Sequence, residues 1–313
     1  MLRQMAKDAY PALEYFHFKG DTTEVNIAGF FQFIRSHPLF DQTFVPPPQF
    51  SDVIAHMKEL IQAFGRSVGF DLSKRIAYLD RIVFVSRRDL QKMLPSQNTR
   101  AFFRQNDNFK IYVPIDDEHG VNRDWSSVAH SLNHEFIHCV SYQEVHLYGQ
   151  DKSFKTVKSG MRRLDRFFLL NEALCELTNL YIINRFWPNL VSTKSLWVSA
   201  ISEISIPEGV SFLNGLIEKL SDEMKLGYDD ILTLAHTDLL VGSDQFLDLC
   251  RRKISEAMVD ELSETRPSDK YDAKYLLGLA GKYRLVSLEE RLKQDIINGT
   301  EVDLTMLRKI GHV

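Results

Sequence analysis

Cysteine is scarce in this chain: Cys139, Cys175 and Cys250 are the only three in 313 residues. An odd, widely spaced trio builds no disulfide framework, so the sequence reads as one for a reducing compartment, with three small buried hydrophobes. A basic excess is also missing. Lys and Arg number 38 against 42 Asp and Glu, for a net charge of −4, and nothing advertises a polyanion such as nucleic acid as a partner. No uncharged apolar stretch approaches the roughly 18 residues that a membrane span requires. The opening residues Arg3, Lys7 and Asp8 carry charge where a signal peptide needs an apolar core. These absences point to a cytoplasmic protein with neither membrane nor nucleic acid among its partners. What is present is ordinary for a globular chain, 44% hydrophobic and 26% charged, and the length allows one large domain or two fused ones with a sizeable core.

Along the chain, residues 1–45 mix aromatic and polar residues without a clean period, and Pro46-Pro47-Pro48 imposes a short extended linker. Val53, Ile54, Met57, Leu60, Ile61 and Phe64 then fall at helical spacing behind Ser51 as a possible N-cap. The run Ile82-Val83-Phe84-Val85 suits a buried strand. Residues 109–113 alternate and end at Pro114, as an edge strand does, after turn chemistry at Asn106-Asp107-Asn108. Past Gly120 the period changes to 3.6. One helix is expected over about 125–144 and a second over about 161–187, stopped by Pro188. Residues 189–263 read as helical with a loop at 204–209, and a polar break at 266–269 precedes a charged helical tail. The expected fold class is α+β: a strand-containing N-terminal lobe over 1–146, a helical lobe over 147–263 and a helical tail over 264–313.

The helix after the strands contains His134-Glu135-Phe136-Ile137-His138, an H-E-x-x-H string. Residues four apart on a helix are neighbours on one face, so His134 and His138 can offer imidazole nitrogens to one ion, with Glu135 beside them and placed to act on a metal-bound water. Only about 0.04 such strings are expected by chance from this composition, which disfavours an accident. Three polar residues among Leu132, Phe136, Ile137 and Val140 would otherwise sit at a cost inside an apolar helix.

A third ligand decides the class, because a catalytic zinc usually has three protein ligands and one open position. Glu172 and Glu176 lie one turn apart in Leu169-Leu170-Asn171-Glu172-Ala173-Leu174-Cys175-Glu176-Leu177, again embedded in apolar residues. If Glu172 ligates the ion, Glu176 can accept a hydrogen bond from the far nitrogen of a ligating histidine and fix its tautomer. The competitor is Glu144, where the H-E-x-x-H-x-x-G-x-x-H pattern has its last histidine. Ser141 stands where that pattern needs its glycine turn, and on an unbroken helix residue 144 points away from His138. Cys139 follows His138 directly and points off its face.

His134-Glu135-x-x-His138 followed by Asn171-Glu172-Ala173-x-x-Glu176 resembles the gluzincin metallopeptidases, whose second motif is typically an N-E-x-x-x-D or N-E-x-x-x-E string on a later helix. The strand pair resembles the small sheet over their active-site helix, and Ser159-Gly160-Met161 resembles a small-residue turn upstream of their glutamate helix. The resemblance covers about residues 82–188, with 33 residues between His138 and Glu172. It implies a zincin-like fold, one zinc per chain held by His134, His138 and Glu172, Glu135 as general base, Glu176 behind the ligands, and a peptide or protein substrate. The donor that steadies the transition state would come from Tyr142, His146, Tyr148 or Tyr181. Strand 109–113, as the rim of a cleft, would pair with an extended peptide. Two readings compete with a general peptidase: a protease dedicated to one partner protein, and a catalytically silent metal-binding or helical interaction protein that retains the zincin fold and uses its C-terminal tail as the contact.

Overall fold

A computed structural model describes residues 16–35, 48–76, 79, 82–93, 101–104, 110–117, 119–123, 125–148, 153–186, 207–265 and 273–285. The chain is a mixed α/β protein, mostly helical with two small sheets, in keeping with an α+β class. The described residues fall into two compact units, one up to Val157 and one from Lys158 onward. Expectations for 106–108, for 189–206 and for most of the tail beyond 265 lie outside the described residues. Among the described residues no helix is long and apolar enough to cross a membrane.

The first unit holds β1 (Phe16–Gly20), α1 (Glu24–Arg35), α2 (Pro48–Ser67), α3 (Ser73–Ile76), β2 (Ile82–Val85), α4 (Arg87–Met93), β3 (Phe102–Arg104), β4 (Lys110–Pro114), α5 (Trp125–Val140) and β5 (Gln143–Tyr148). The stripe of α2 is buried as its spacing requires, with Met57, Leu60, Ile61 and Phe64 all at 4% exposure or less. Each such side chain contributes about 1.5–3 kcal/mol relative to an exposed one. The helix starts at Pro48, three residues ahead of Ser51. Proline at a first helical position loses no hydrogen bond and has its φ already set.

The three-stranded sheet has the order β2-β4-β3, with β2 parallel and β3 antiparallel to β4. Residues 110–114 are thus the centre of the sheet and not the edge that their alternation and closing proline predicted. Ile111, Tyr112 and Val113 are fully buried, and Tyr112 packs with Val83, Val85 and Leu90, partly covered by Phe102. Pro114 is tolerated because it is the last residue of its strand. The edge facing α5 belongs to β3, and α5 packs beneath β3 and β4 with α2 and α3 at its side.

Helix α5 ends at Val140, four residues short of its expected end at 144. Nothing in the local sequence breaks it; its last carbonyls are taken by side chains instead. The Ser141 hydroxyl donates to Ile137 O at 2.6 Å, the Gln143 amide to His138 O at 3.4 Å, and the buried Arg75 guanidinium to Val140 O at 2.6 Å. A cation at a helix C-terminus also complements the helix dipole. Beyond this stop, β5 pairs in parallel with β1, His17 lying opposite Glu144. Strand β1 ends at Gly20, whose φ of +79° suits glycine and where a Cβ would press on Leu147 O.

After β6 (Ser153–Ser159) come β7 (Arg162–Arg163), α6 (Phe168–Phe186), α7 (Pro207–Met224), α8 (Tyr228–Val241), α9 (Gln245–Lys253), α10 (Glu256–Ser263) and α11 (Ala273–Lys282). The expected helix over 161–187 begins only at Phe168. Gly160, Leu164 and Phe167 all have positive φ, and β6 turns back onto β7 before the helix can start. Helix α6 is buried on every side from Phe168 to Ile183, packed against α7, α8, α10 and β7, as a helix without a polar face must be. Its first amide groups are satisfied by Ser263 O, Thr265 O and Thr265 Oγ1.

Arg75→Met removes a charge-assisted donor and strands Val140 O, and should lower the unfolding free energy by about 2–3 kcal/mol in urea titrations. In the second unit His236 is fully buried on α8 against the Tyr181 ring, with centroids 5.3 Å apart, and burial depresses its pKa to about 3. The fold therefore holds it neutral. The stability it contributes is complete above the ordinary value of 6.5 and is lost as pH falls towards 3. With chelator present, His236→Phe should flatten the acid slope of unfolding free energy relative to the parent by up to about 1.4 kcal/mol per pH unit.

Candidate metal centre

Helix α5 carries a run of polar side chains into the interior: His130, Ser131, Asn133, His134 and Glu135 are each at 9% exposure or less, and His138 is half-buried. Its N-terminal end is braced by Arg123, whose guanidinium donates to Pro114 O, Ser127 O, Ser127 Oγ and Ser131 Oγ. Arg75 braces the other end. The histidine pair therefore sits on a helix fixed at both ends and pressed against a sheet.

The two imidazoles converge. His134 Nε2 and His138 Nε2 are 3.0 Å apart, with ring planes 73° from one another. Tetrahedral zinc with Zn–N near 2.05 Å holds two nitrogens about 3.3 Å apart, so the pair needs only a few tenths of an ångström to open around an ion. Glu172, at 7% exposure on α6, completes the group: one ligand atom each from His134, His138 and Glu172 lie within 4.8 Å of one another. Two imidazole nitrogens and one carboxylate oxygen make a donor set that suits a divalent transition metal. A buried His-His-Glu group that can hold a metal ion is thus present.

The other candidates are placed as follows. Glu176, one turn beyond Glu172, is 1% exposed. Glu135 lies on α5 between the histidines, and its Oε2 accepts the backbone N–H of Phe103 on β3 at 2.7 Å. Glu144 is not on a helix pointing away; it is on β5, where it pairs with Lys19 at 3.0 Å and accepts the Tyr142 hydroxyl at 3.3 Å. The Tyr142 ring stacks on His17 at 4.6 Å, and burial, with Glu144 nearby, pushes its phenol up to about 12. His146 stacks on the exposed Tyr148, and Tyr181 lies against His236 with Arg185 over its face. The four candidate transition-state donors are each engaged with these neighbours. The buried cysteines Cys139, Cys175 and Cys250 carry free thiols and are not in the ligand group.

Three residues that sequence reasoning passed over hold this arrangement. Arg75 and Arg123 fix the ends of α5, and the Phe103 amide meets Glu135. Asn171, which the sequence shows only as the first letter of a motif, also braces the fold, since its Oδ1 accepts Met161 N–H at 2.9 Å and ties the β6–β7 turn to the first turn of α6. Comparison with protein-family models, with curated proteins and with solved structures returns no match.

The ligand assignment is tested by zinc competition against a chromophoric chelator. Loss of an outer partner of a metal ligand typically costs 10–100-fold in affinity, so Glu172→Ala should weaken zinc binding by more than about a hundredfold, and Glu144→Ala by less than about threefold. The reverse order would transfer the third ligand to β5.

Proposed function

We propose that this protein is a zinc-dependent metallopeptidase of gluzincin type, with a zincin-like fold and one zinc per chain. The observation that carries the reading is the convergence of His134, His138 and Glu172 beside a glutamate, Glu135, that directly follows the first histidine. His134, His138 and Glu172 would hold the ion, leaving a fourth position open. Zinc, when bound, supplies Lewis acidity and makes water acidic near neutral pH.

The remaining chemistry belongs to the chain. Glu135 takes a proton from the attacking water as its oxygen adds to the peptide carbonyl carbon, and passes a proton to the leaving amine nitrogen as the C–N bond breaks. Glu176 would accept a hydrogen bond from the far nitrogen of a ligating histidine and so set its tautomer; its burial one turn from Glu172 supports that role. Peptides or proteins are the substrate class. The helical packing around α6 gives this protein a rigid seat for the carboxylate.

The decisive comparison is Glu135→Gln against the parent, with zinc content by elemental analysis and cleavage of a mixed peptide library by mass spectrometry. Both proteins should bind about one zinc per chain, and the substitution should cut turnover by about 10²–10⁴-fold. A parent that binds zinc but cleaves no more than the variant would favour the catalytically silent metal-binding protein instead.

A further inference from the structure

We propose that the backbone amide of Phe103 is a positioning group for Glu135, holding its carboxylate in one orientation beside the metal-ligating histidines. The catalytic consequence of this inference rests on the metallopeptidase reading; the contact itself does not. The Phe103 N–H donates to Glu135 Oε2 at 2.7 Å, within the range of a strong charge-assisted hydrogen bond.

The strand register explains why that amide is available. Phe103 stands opposite Ile111 in the antiparallel β3–β4 pair, and β3 is the outer strand of its sheet. In an antiparallel ladder, successive residues alternate between exchanging both hydrogen bonds with the partner and facing away from it. With its N–H given to Glu135, Phe103 occupies a position that faces away from β4, and its amide points off the sheet edge. Because β3 and β4 both pack on α5, that edge is pressed towards the helix bearing the glutamate.

The geometry selects one oxygen. Glutamate on a helix has three side-chain torsions and would otherwise sample several rotamers. Fixing Oε2 to a backbone group of a sheet leaves Oε1 as the oxygen to accept a proton, in a set orientation. A general base must lie within hydrogen-bond reach of the proton it takes, and small misplacements are expensive in rate. A backbone donor is well suited to this, because its position is set by the ladder and not by a rotamer.

Two arms test the proposal on the full-length protein. In the first, amide exchange at Phe103 is followed by NMR in the parent and in Glu135→Ala, with the Ile111 and Val113 amides as internal references. Phe103 should exchange at least about tenfold faster in the variant while the β4 amides keep their rates. Equal rates at Phe103, or an acceleration shared by β4, would overturn the contact. In the second arm, Phe103→Pro deletes the donor at an edge position where proline is tolerated. It should lower kcat by at least about tenfold with KM within about twofold and zinc near one per chain. Unchanged kcat, or a fall explained by lost zinc, would overturn the positioning role. A parent without activity would overturn the peptidase reading, and the exchange arm would then decide the Phe103–Glu135 link by itself.

Discussion

Gathering two imidazoles, one buried and one half-buried, and a buried carboxylate within a few ångströms of one another is the constraint on which this site is organised. Burying such groups is costly unless their charge and lone pairs are satisfied together. A divalent cation offsets the cost in one step, since neutral imidazole and ionised carboxylate are the forms it selects. The placement of His134, His138 and Glu172 within 4.8 Å of one another is what such an ion needs, and the elements around them read as means of keeping those side chains in place.

That support is concentrated at helix ends. Helix α5 is tied at its start by Arg123 and at its finish by Arg75, each through a charged guanidinium that donates to an oxygen of the helix. The first turn of α6 is tied by Asn171 to the preceding turn and by Ser263 and Thr265 to the end of α10. Each helix that carries a candidate ligand thus has its terminal backbone groups satisfied by partners outside itself. The sheet contributes in the same way, since its outer strand meets Glu135 through a backbone group.

The histidine pair and the glutamate pair are legible in the sequence because each pair is local. The four-residue spacing of His134 and His138, and of Glu172 and Glu176, needs only the geometry of an α-helix to be interpreted, as does the apolar stripe of α2. The limits of the elements were not legible, because distant residues set them. Helix α5 stops at Val140 through the nearby Ser141 and Gln143 side chains together with Arg75, which lies 65 positions earlier in the chain and gives no sign of itself near residue 140. Residues 109–113 read as an edge strand because their polar and apolar residues alternate before Pro114, but β2 and β3 flank β4 on its two sides. An unbroken helix would point Glu144 away from His138; what engages it instead is a strand and an ion pair with Lys19. The Phe103 contact was invisible for a deeper reason, since a backbone amide has no letter in the sequence.

The central claim, that one ion is gripped by both histidines and by Glu172, is tested most directly by anomalous diffraction at the zinc edge from crystals of the intact protein grown with zinc. The account predicts a single strong peak about 2.0–2.2 Å from His134 Nε2, His138 Nε2 and a Glu172 carboxylate oxygen. The absence of a peak there, or a peak whose ligands leave out Glu172, would contradict it.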